Sequence, residues 1–304
     1  PKHQRQHQKL LASLVSFTMS GALRTASVVA RRCVAARSRA AVLPSLSTVA
    51  AVRGMASLSG GASLTDLATD NPHKEAIRYH HKNLKFTYKD FDHFSDSLAS
   101  GMISAGLAPG DVVLSWLPAN FLELHVLQFA CSKAGFVLYE LDPAQATTDP
   151  EGAKAALTEA LVETEANILF SQEAGSDVDY IRLLKEVIPE TRFFQIEEGQ
   201  LFISPRFPHL RYPVHTGLDE IDKKGFWQMT TFLVPDGELP TYMAGKETSG
   251  ATPLKGELVI GPDGMPKVGK TMTNDEVVKT GVWPVYNTML KRDYQEIEGI
   301  GNIF

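Results

Sequence analysis

The run Gly264–Met265–Pro266–Lys267–Val268–Gly269–Lys270–Thr271 has the spacing G-x-x-x-x-G-K-[ST]. In such a loop the glycines open a backbone cradle for phosphates, while the lysine and hydroxyl meet negative charge and magnesium. Its surroundings point elsewhere. Pro262–Asp263–Gly264 is turn material standing between this run and the apolar stretch Leu258 to Ile260, so a hairpin is expected. Met272 to Glu276 is poor material for the buried helix that a phosphate loop requires. The nine histidines show no metal-ligand spacing: His80 and His81 are adjacent, and His209 and His215 sit near prolines, so no metal site is expected. Arg206, His209, Arg211 and His215 compose a small basic cluster that could meet an anion, read here as a solvated face. Cys131 falls on an apolar helical stripe, where a thiol acts as a small hydrophobe. No catalytic residue is assigned.

The elements that would position such groups alternate. Thr87 can cap a helix with Asp90 in a capping-box position, and Phe91, Phe94, Leu98 and Met102 give that helix one apolar face. Gly106 and Pro109 stop it. Val112 to Leu117 reads as a strand, and a second helix follows from Asn120 with Phe121, Leu124, Leu127, Cys131 and Ala134 inward. Phe136 to Leu141 is the next strand. Asp149 and Pro150 open a third helix running to about Glu165. Asn167 to Ser171 is a strand, Tyr180 to Val187 a helix, and Arg192 to Ile196 a fourth strand. Strand and helix repeating in this way predict a doubly wound, mostly parallel α/β sheet flanked by helices.

With 43% hydrophobic residues the chain can build a sizeable core, yet no apolar run reaches the ~18 residues needed to span a bilayer. Two cysteines cannot form a disulfide framework, which fits a reducing compartment. The net charge of -5 is unevenly spread. The first sixty residues hold nine Lys and Arg and no acid, so the remainder carries -14, which argues against nucleic-acid contact by that acidic body. The stretch from Met19, rich in Arg, Ser and Ala, has the character of a mitochondrial transit peptide, predicting a location in the matrix or on the matrix side of the inner membrane.

Several motifs stand in a familiar order: Thr87–Tyr88, Gly106 with Gly110–Asp111, Pro118 and Asn120, Lys133–Ala134–Gly135, Asp142–Pro143, and Pro208–His209–Leu210–Arg211–Tyr212. Together they resemble the N-terminal portion of the adenylate-forming acyl-CoA synthetases over residues 64 to 217. That family activates a carboxylate with ATP and magnesium, then usually transfers the acyl group to coenzyme A. The resemblance implies its α/β subdomain here.

It also implies a phosphate loop at Thr248, Ser249, Gly250, Thr252, Lys255 and Gly256. The small residues of such a loop let backbone N–H groups approach phosphate. The loop departs from the family pattern: Ala251 replaces a hydroxyl, a middle glycine is missing, and Pro253 precedes Leu254 rather than following it. Pro253 also removes one N–H. A rival alignment matches Lys246–Glu247–Thr248–Ser249 and Gly256 to Pro262 to later motifs of the family. Either way the adenine pocket and the mobile C-terminal domain are expected to be missing. The organisation read from sequence is a basic tract (1–60), a family-like α/β domain (61–218) and an irregular extension (219–304) with Trp227, Phe232, Tyr242, Trp283 and Tyr286. Such aromatic-rich, weakly periodic segments often order against partners. The expected function is a non-catalytic relative acting as an accessory subunit among other subunits of a mitochondrial assembly such as the ATP synthase, a respiratory complex or the mitoribosome. No cofactor is expected, with ATP, magnesium and coenzyme A entering only if family activity persists. The alternatives are a residual acyl-CoA or nucleotide binder and an active ligase.

Overall fold

In the computed structural model the described residues are 57–173, 178–196, 199, 201–218, 223–235 and 239–298, with the Lys82 side chain excepted. The transit-peptide tract and Glu197–Glu198 and Asp219–Glu220 lie outside them. The chain is built from a parallel sheet in the order β7-β6-β5-β3-β4-β8-β9, with only β9 antiparallel to its neighbour. Its strands are β3 (Val112–Trp116), β4 (Val137–Glu140), β5 (Ile168–Ser171), β6 (Tyr212–His215), β7 (Trp227–Gln228), β8 (Pro253–Ile260) and β9 (Pro266–Thr273). A second sheet, β10-β1-β2, joins β1 (Glu75–Tyr79), β2 (Leu84–Thr87) and β10 (Gln295–Ile297).

One face of the large sheet is covered by α1 (Gly60–Asp70), α2 (Tyr88–Ser104) and α3 (Leu122–Ala134). The other carries α5 (Pro150–Thr164), preceded by the single turn α4 (Gln145–Thr148), and α6 (Tyr180–Val187). The strands feed both cores by alternation: Val113, Leu138, Ile168 and Phe170 point to the first, and Leu114, Trp116, Tyr139 and Leu169 to the second. After β7 come the short α7 (Leu239–Tyr242), then α8 (Asn274–Thr280) and α9 (Pro284–Leu290).

Local chemistry sets the helix starts. Thr87 Oγ1 accepts from the Asp90 N–H (3.2 Å) and Asp90 Oδ2 accepts from the Thr87 N–H (3.0 Å), the reciprocal cap expected from sequence. Asp149 Oδ1 accepts from the Gly152 N–H (2.9 Å) at the start of α5, with Pro150 at its first position. Helix α3 ends at Gly135, whose φ of 75° is the left-handed conformation a glycine tolerates best.

Three expectations need revision. Arg192 to Ile196 is not a strand. Pro189–Arg192 closes a 3-10 turn, Thr191 Oγ1 donates to the Ile188 carbonyl (2.7 Å), and Phe194 packs edge to face on Phe202. The strand beside β5 is β6, twenty residues further on. Helix α3 is buried all round rather than along one stripe. The stretch after 218 is not an irregular extension: it supplies β7 and α7, and its strands β8 and β9 join the same sheet, with β8 parallel to β4. Helix α1 begins at Gly60 with Ser59 as its cap. Among the described residues no helix is long and apolar enough to cross a membrane.

Burial of α3 carries a titration. His125 Nε2 lies 3.0 Å from the Ala119 carbonyl, which can only accept, so Nε2 bears the proton and Nδ1 accepts from the Tyr79 hydroxyl at 2.6 Å. Burial pushes this imidazole down to about 4, only partly opposed by the Ala119 hydrogen bond. An unfolded chain takes up that proton near pH 6.5. Stability is therefore complete above pH 6.5 and falls as the pH drops towards 4, by about 3 kcal/mol at most. Urea midpoints measured across that window should show the slope, and His125→Gln should flatten it.

Candidate functional site

The hydroxyls, glycines and lysine singled out in sequence do come together, but as a joint between distant parts of the chain. Ser249 N–H donates to Thr252 Oγ1 (2.9 Å), and Thr252 N–H returns to the Ser249 carbonyl (3.0 Å), closing a tight turn. Gly250 N–H donates to the Ser57 carbonyl (2.7 Å) and the Gly250 carbonyl accepts from Asp275 N–H (2.9 Å). Thr248 Oγ1 donates to Ser59 Oγ (2.9 Å), and Leu58 bridges Ser249. The Thr252 carbonyl takes both the backbone and the side-chain N–H of Asn274 (3.0 and 3.1 Å). A Cβ at Gly250 would lie 2.0 Å from Ser57 Oγ and 2.3 Å from Asp275 Oδ1, so any larger residue would have to displace these two side chains. Gly256 sits in β8 against the face of Tyr139, where a Cβ would lie 2.1 Å from the ring.

Lys255 points into a polar hub at the end of β4. Its Nζ lies 3.3 Å from Glu140 Oε2 and 5.5 Å from the centre of the Trp283 ring. Glu140 also accepts from Gln128 Nε2 and from Trp283 Nε1, each at 2.8 Å. The ammonium thus has a carboxylate and an aromatic face as partners.

The position of the turn matters as much as its hydrogen bonds. Strand β8 runs parallel to β4, pairing Lys255 with Leu138, so residues 248–252 lie at the amino edge of the sheet beside Gly135. Open α/β sheets bind ligands at the opposite, carboxyl edge, where connections leave to different faces. Here β3 connects through α3 on one face, while β4 and β5 connect through α5 and α6 on the other. That edge carries Trp116, Gln172, Glu173, Tyr180, His215, Thr216, Gly217, Lys223 and Gln228, most of which the sequence reading passed over. Tyr180 stacks edge to face on Trp116 and its hydroxyl meets the Pro143 carbonyl (3.4 Å). His215 Nδ1 accepts from Gly217 N–H (3.1 Å), Gln228 donates to the Gly217 carbonyl (3.0 Å), and Lys223 pairs with Glu173. The signal available in sequence was the strand ends themselves. Without the strand order, nothing marked which ends were adjacent.

The other sequence candidates separate. Gly264 to Thr271 forms the hairpin expected: Gly264 N–H donates to the Gly261 carbonyl (3.0 Å) and β9 pairs back onto β8. Lys267 binds Glu159 and Glu163 of α5, and Lys270 binds Glu276. His215 is buried, whereas Arg206, His209 and Arg211 are exposed and bond respectively to the Val187 carbonyl, Glu165 and the Gly106 carbonyl, so no anion-binding cluster forms. Burial raises the Cys131 thiol well above its ordinary range, with Glu140 adding to it, which keeps the sulfur in its unreactive form.

A second buried hub was not legible. Ser132 Oγ accepts from Gly61 N–H (2.8 Å) and from the Tyr286 hydroxyl (3.0 Å) and donates to Asn274 Oδ1 (2.6 Å). Burial pushes the Tyr286 hydroxyl strongly upward, so it stays protonated.

Residues 64–199 match the family described as AMP-binding enzyme. The Bacillus subtilis protein named "Putative acyl-CoA synthetase YngI" is 27% identical over 221 residues, 72% of this chain and 38% of that protein. The bovine protein named medium-chain acyl-CoA ligase ACSF2, mitochondrial, is 29% identical over 150 residues, 49% of this chain and 23% of its own length. The luciferase-like enzyme of the mealworm Zophobas morio shares the fold, with a TM-score of 0.58 at 14% identity over 80% of this chain and 55% of that one. The match over residues 64–199, the named relatives and the shared fold fit an N-terminal portion of the adenylate-forming acyl-CoA synthetases. The chain spans well under half the length of the curated relatives it matches.

Ser132→Ala would leave the Tyr286 hydroxyl, the Gly61 N–H and Asn274 short of a buried partner. A loss of roughly 2 kcal/mol is expected, read as a lower urea midpoint with unchanged m-value.

Proposed function

We propose that this chain is a non-catalytic relative of the acyl-CoA synthetases that serves as an accessory subunit of a large mitochondrial assembly. The observation that carries the reading is the engagement of the 248–256 segment. The N–H groups of Ser249, Gly250 and Thr252 donate to Thr252 Oγ1 and to the carbonyls of Ser57 and Ser249, Pro253 has none, and Lys255 is held between Glu140 and Trp283. Phosphate binding at a Gly-rich loop needs such N–H groups convergent and free to meet the anion. In this reading Thr248, Ser249, Gly250, Thr252, Lys255 and Gly256 join the first turn of the fold to α8 and β8 rather than holding nucleotide. A mitochondrial address is supported by the basic, acid-free first sixty residues and by the printed name of the bovine relative.

Acyl-CoA ligation is the rival reading, favoured by the names of the bacterial and bovine relatives. A single preparation separates the two. The native protein is expected to migrate with a high-mass assembly from mitochondrial extracts. The purified chain, given ATP, magnesium, a medium-chain fatty acid and coenzyme A, should release no pyrophosphate above the blank. Pyrophosphate release that disappears in Lys255→Ala would establish the ligase and dismiss the subunit reading.

A further inference from the structure

Three large apolar side chains stand almost fully in solvent in one small region: Phe193 at 83% exposure, Leu201 at 82% and Ile203 at 74%. Two contacts draw them together. Ser204 Oγ donates to Glu190 Oε1 (3.0 Å), and the Phe194 and Phe202 rings meet at 5.2 Å, so residues 201–204 run beside the turn that carries Phe193. Burial alternates along 201–204, with Phe202 at 7% and Ser204 at 1% between and after the exposed pair. A period of two is the mark of an extended chain. Here its inner face enters the core and its outer face is apolar, the reverse of a solvated strand. Exposed clusters of this kind mark interaction surfaces.

The backbone narrows the occupant. Among the described residues, the N–H and C=O groups of Leu201, Phe202 and Ile203 have no hydrogen-bond partner in the protein, and these residues belong to no strand ladder. Water can serve them in a free chain, but an occupant that excludes water must replace those bonds. Lipid acyl chains have none to give, and the backbone of a helix is already spent on itself. An extended segment has them at the right interval. Charge adds a second restriction. Arg192 and Arg206 flank the patch in sequence, are exposed, and lie in no ion pair within 4 Å among the described residues, although Glu186 is within electrostatic reach of Arg192; Arg206 rests on the Phe207 ring and the Val187 carbonyl. The edge of β9 offers a contrast, since Lys267 and Lys270 line it and are tied to carboxylates, a common guard against strand addition.

We infer that residues 201–204 form a strand-addition site for an extended segment of a partner protein, with apolar side chains facing Leu201 and Ile203 and carboxylates facing Arg192 and Arg206. The inference rests on the subunit reading above and names the surface through which it acts.

Hydrogen–deuterium exchange on the full chain, alone and within the native assembly, tests it together with the variants Leu201→Glu/Ile203→Glu and Arg192→Glu/Arg206→Glu. In the isolated chain the amides of 201–203 should exchange freely. In the assembly they should slow by roughly a hundredfold. Both variants should keep the thermal unfolding of the parent and leave the assembly. A chain found in an assembly with 201–203 still exchanging freely overturns the inference and leaves the subunit reading intact. Retention of either variant overturns it as well. Protection already present in the isolated chain would show that this chain or a second copy fills the site, which also overturns it. A chain that migrates alone in extracts defeats the subunit reading and the inference together.

Discussion

Helix α3 sets the terms for the rest of the molecule. All thirteen residues from Leu122 to Ala134 are buried, and five of them are polar or charged. A buried polar group without a partner costs on the order of 1–3 kcal/mol, and more when charged. Four of these side chains, His125, Gln128, Ser132 and Lys133, fix something around them. His125 binds Tyr79 of β1 and the Ala119 carbonyl; Gln128 binds Glu140 of β4. Ser132 gathers Gly61, Asn274 and Tyr286. Lys133, with 4% of its side chain exposed, lies 2.5 Å from both Asp92 and Asp96 of α2. Burial raises the Asp96 carboxyl, and the Lys133 ammonium pulls it back down. Replacing any of these polar groups on α3 would leave its partners in a nearly dry interior.

The same demand explains why the last third of the chain belongs to the fold. Asn274, Trp283 and Tyr286 complete hydrogen bonds begun by α3 and β4, and Lys255 completes the carboxylate at Glu140. Aromatic residues that the sequence shows only as irregularly spaced are thus placed by partners more than a hundred positions away. Tyr286 stacks on Phe129 at 4.2 Å, adding apolar contact to the hydrogen bond.

The 248–256 segment, which resembles a phosphate loop in sequence, is tied into the fold by its own hydrogen bonds. Groups of the kind that elsewhere meet phosphate are absorbed into internal contacts at the amino edge of the sheet. Meanwhile apolar side chains that would normally seek a core are displayed at 193–203.

The sequence by itself determined the local pieces: the Thr87–Asp90 cap, Asp149 with Pro150, the Gly264 hairpin, and an alternation of strands and helices that requires a parallel sheet. These follow from hydrogen bonds within three or four residues, or from repeating periods, and both are visible along the chain. The family resemblance was legible for the same reason, through ordered short motifs. Tertiary structure alone decided the rest. Whether Lys255 faces a phosphate or Glu140, and whether residue 192 begins a strand or a turn, depend on groups far away in sequence. The burial of α3 on every side depends on them too. Long-range burial chooses the partner of each polar atom, and no local pattern records that choice.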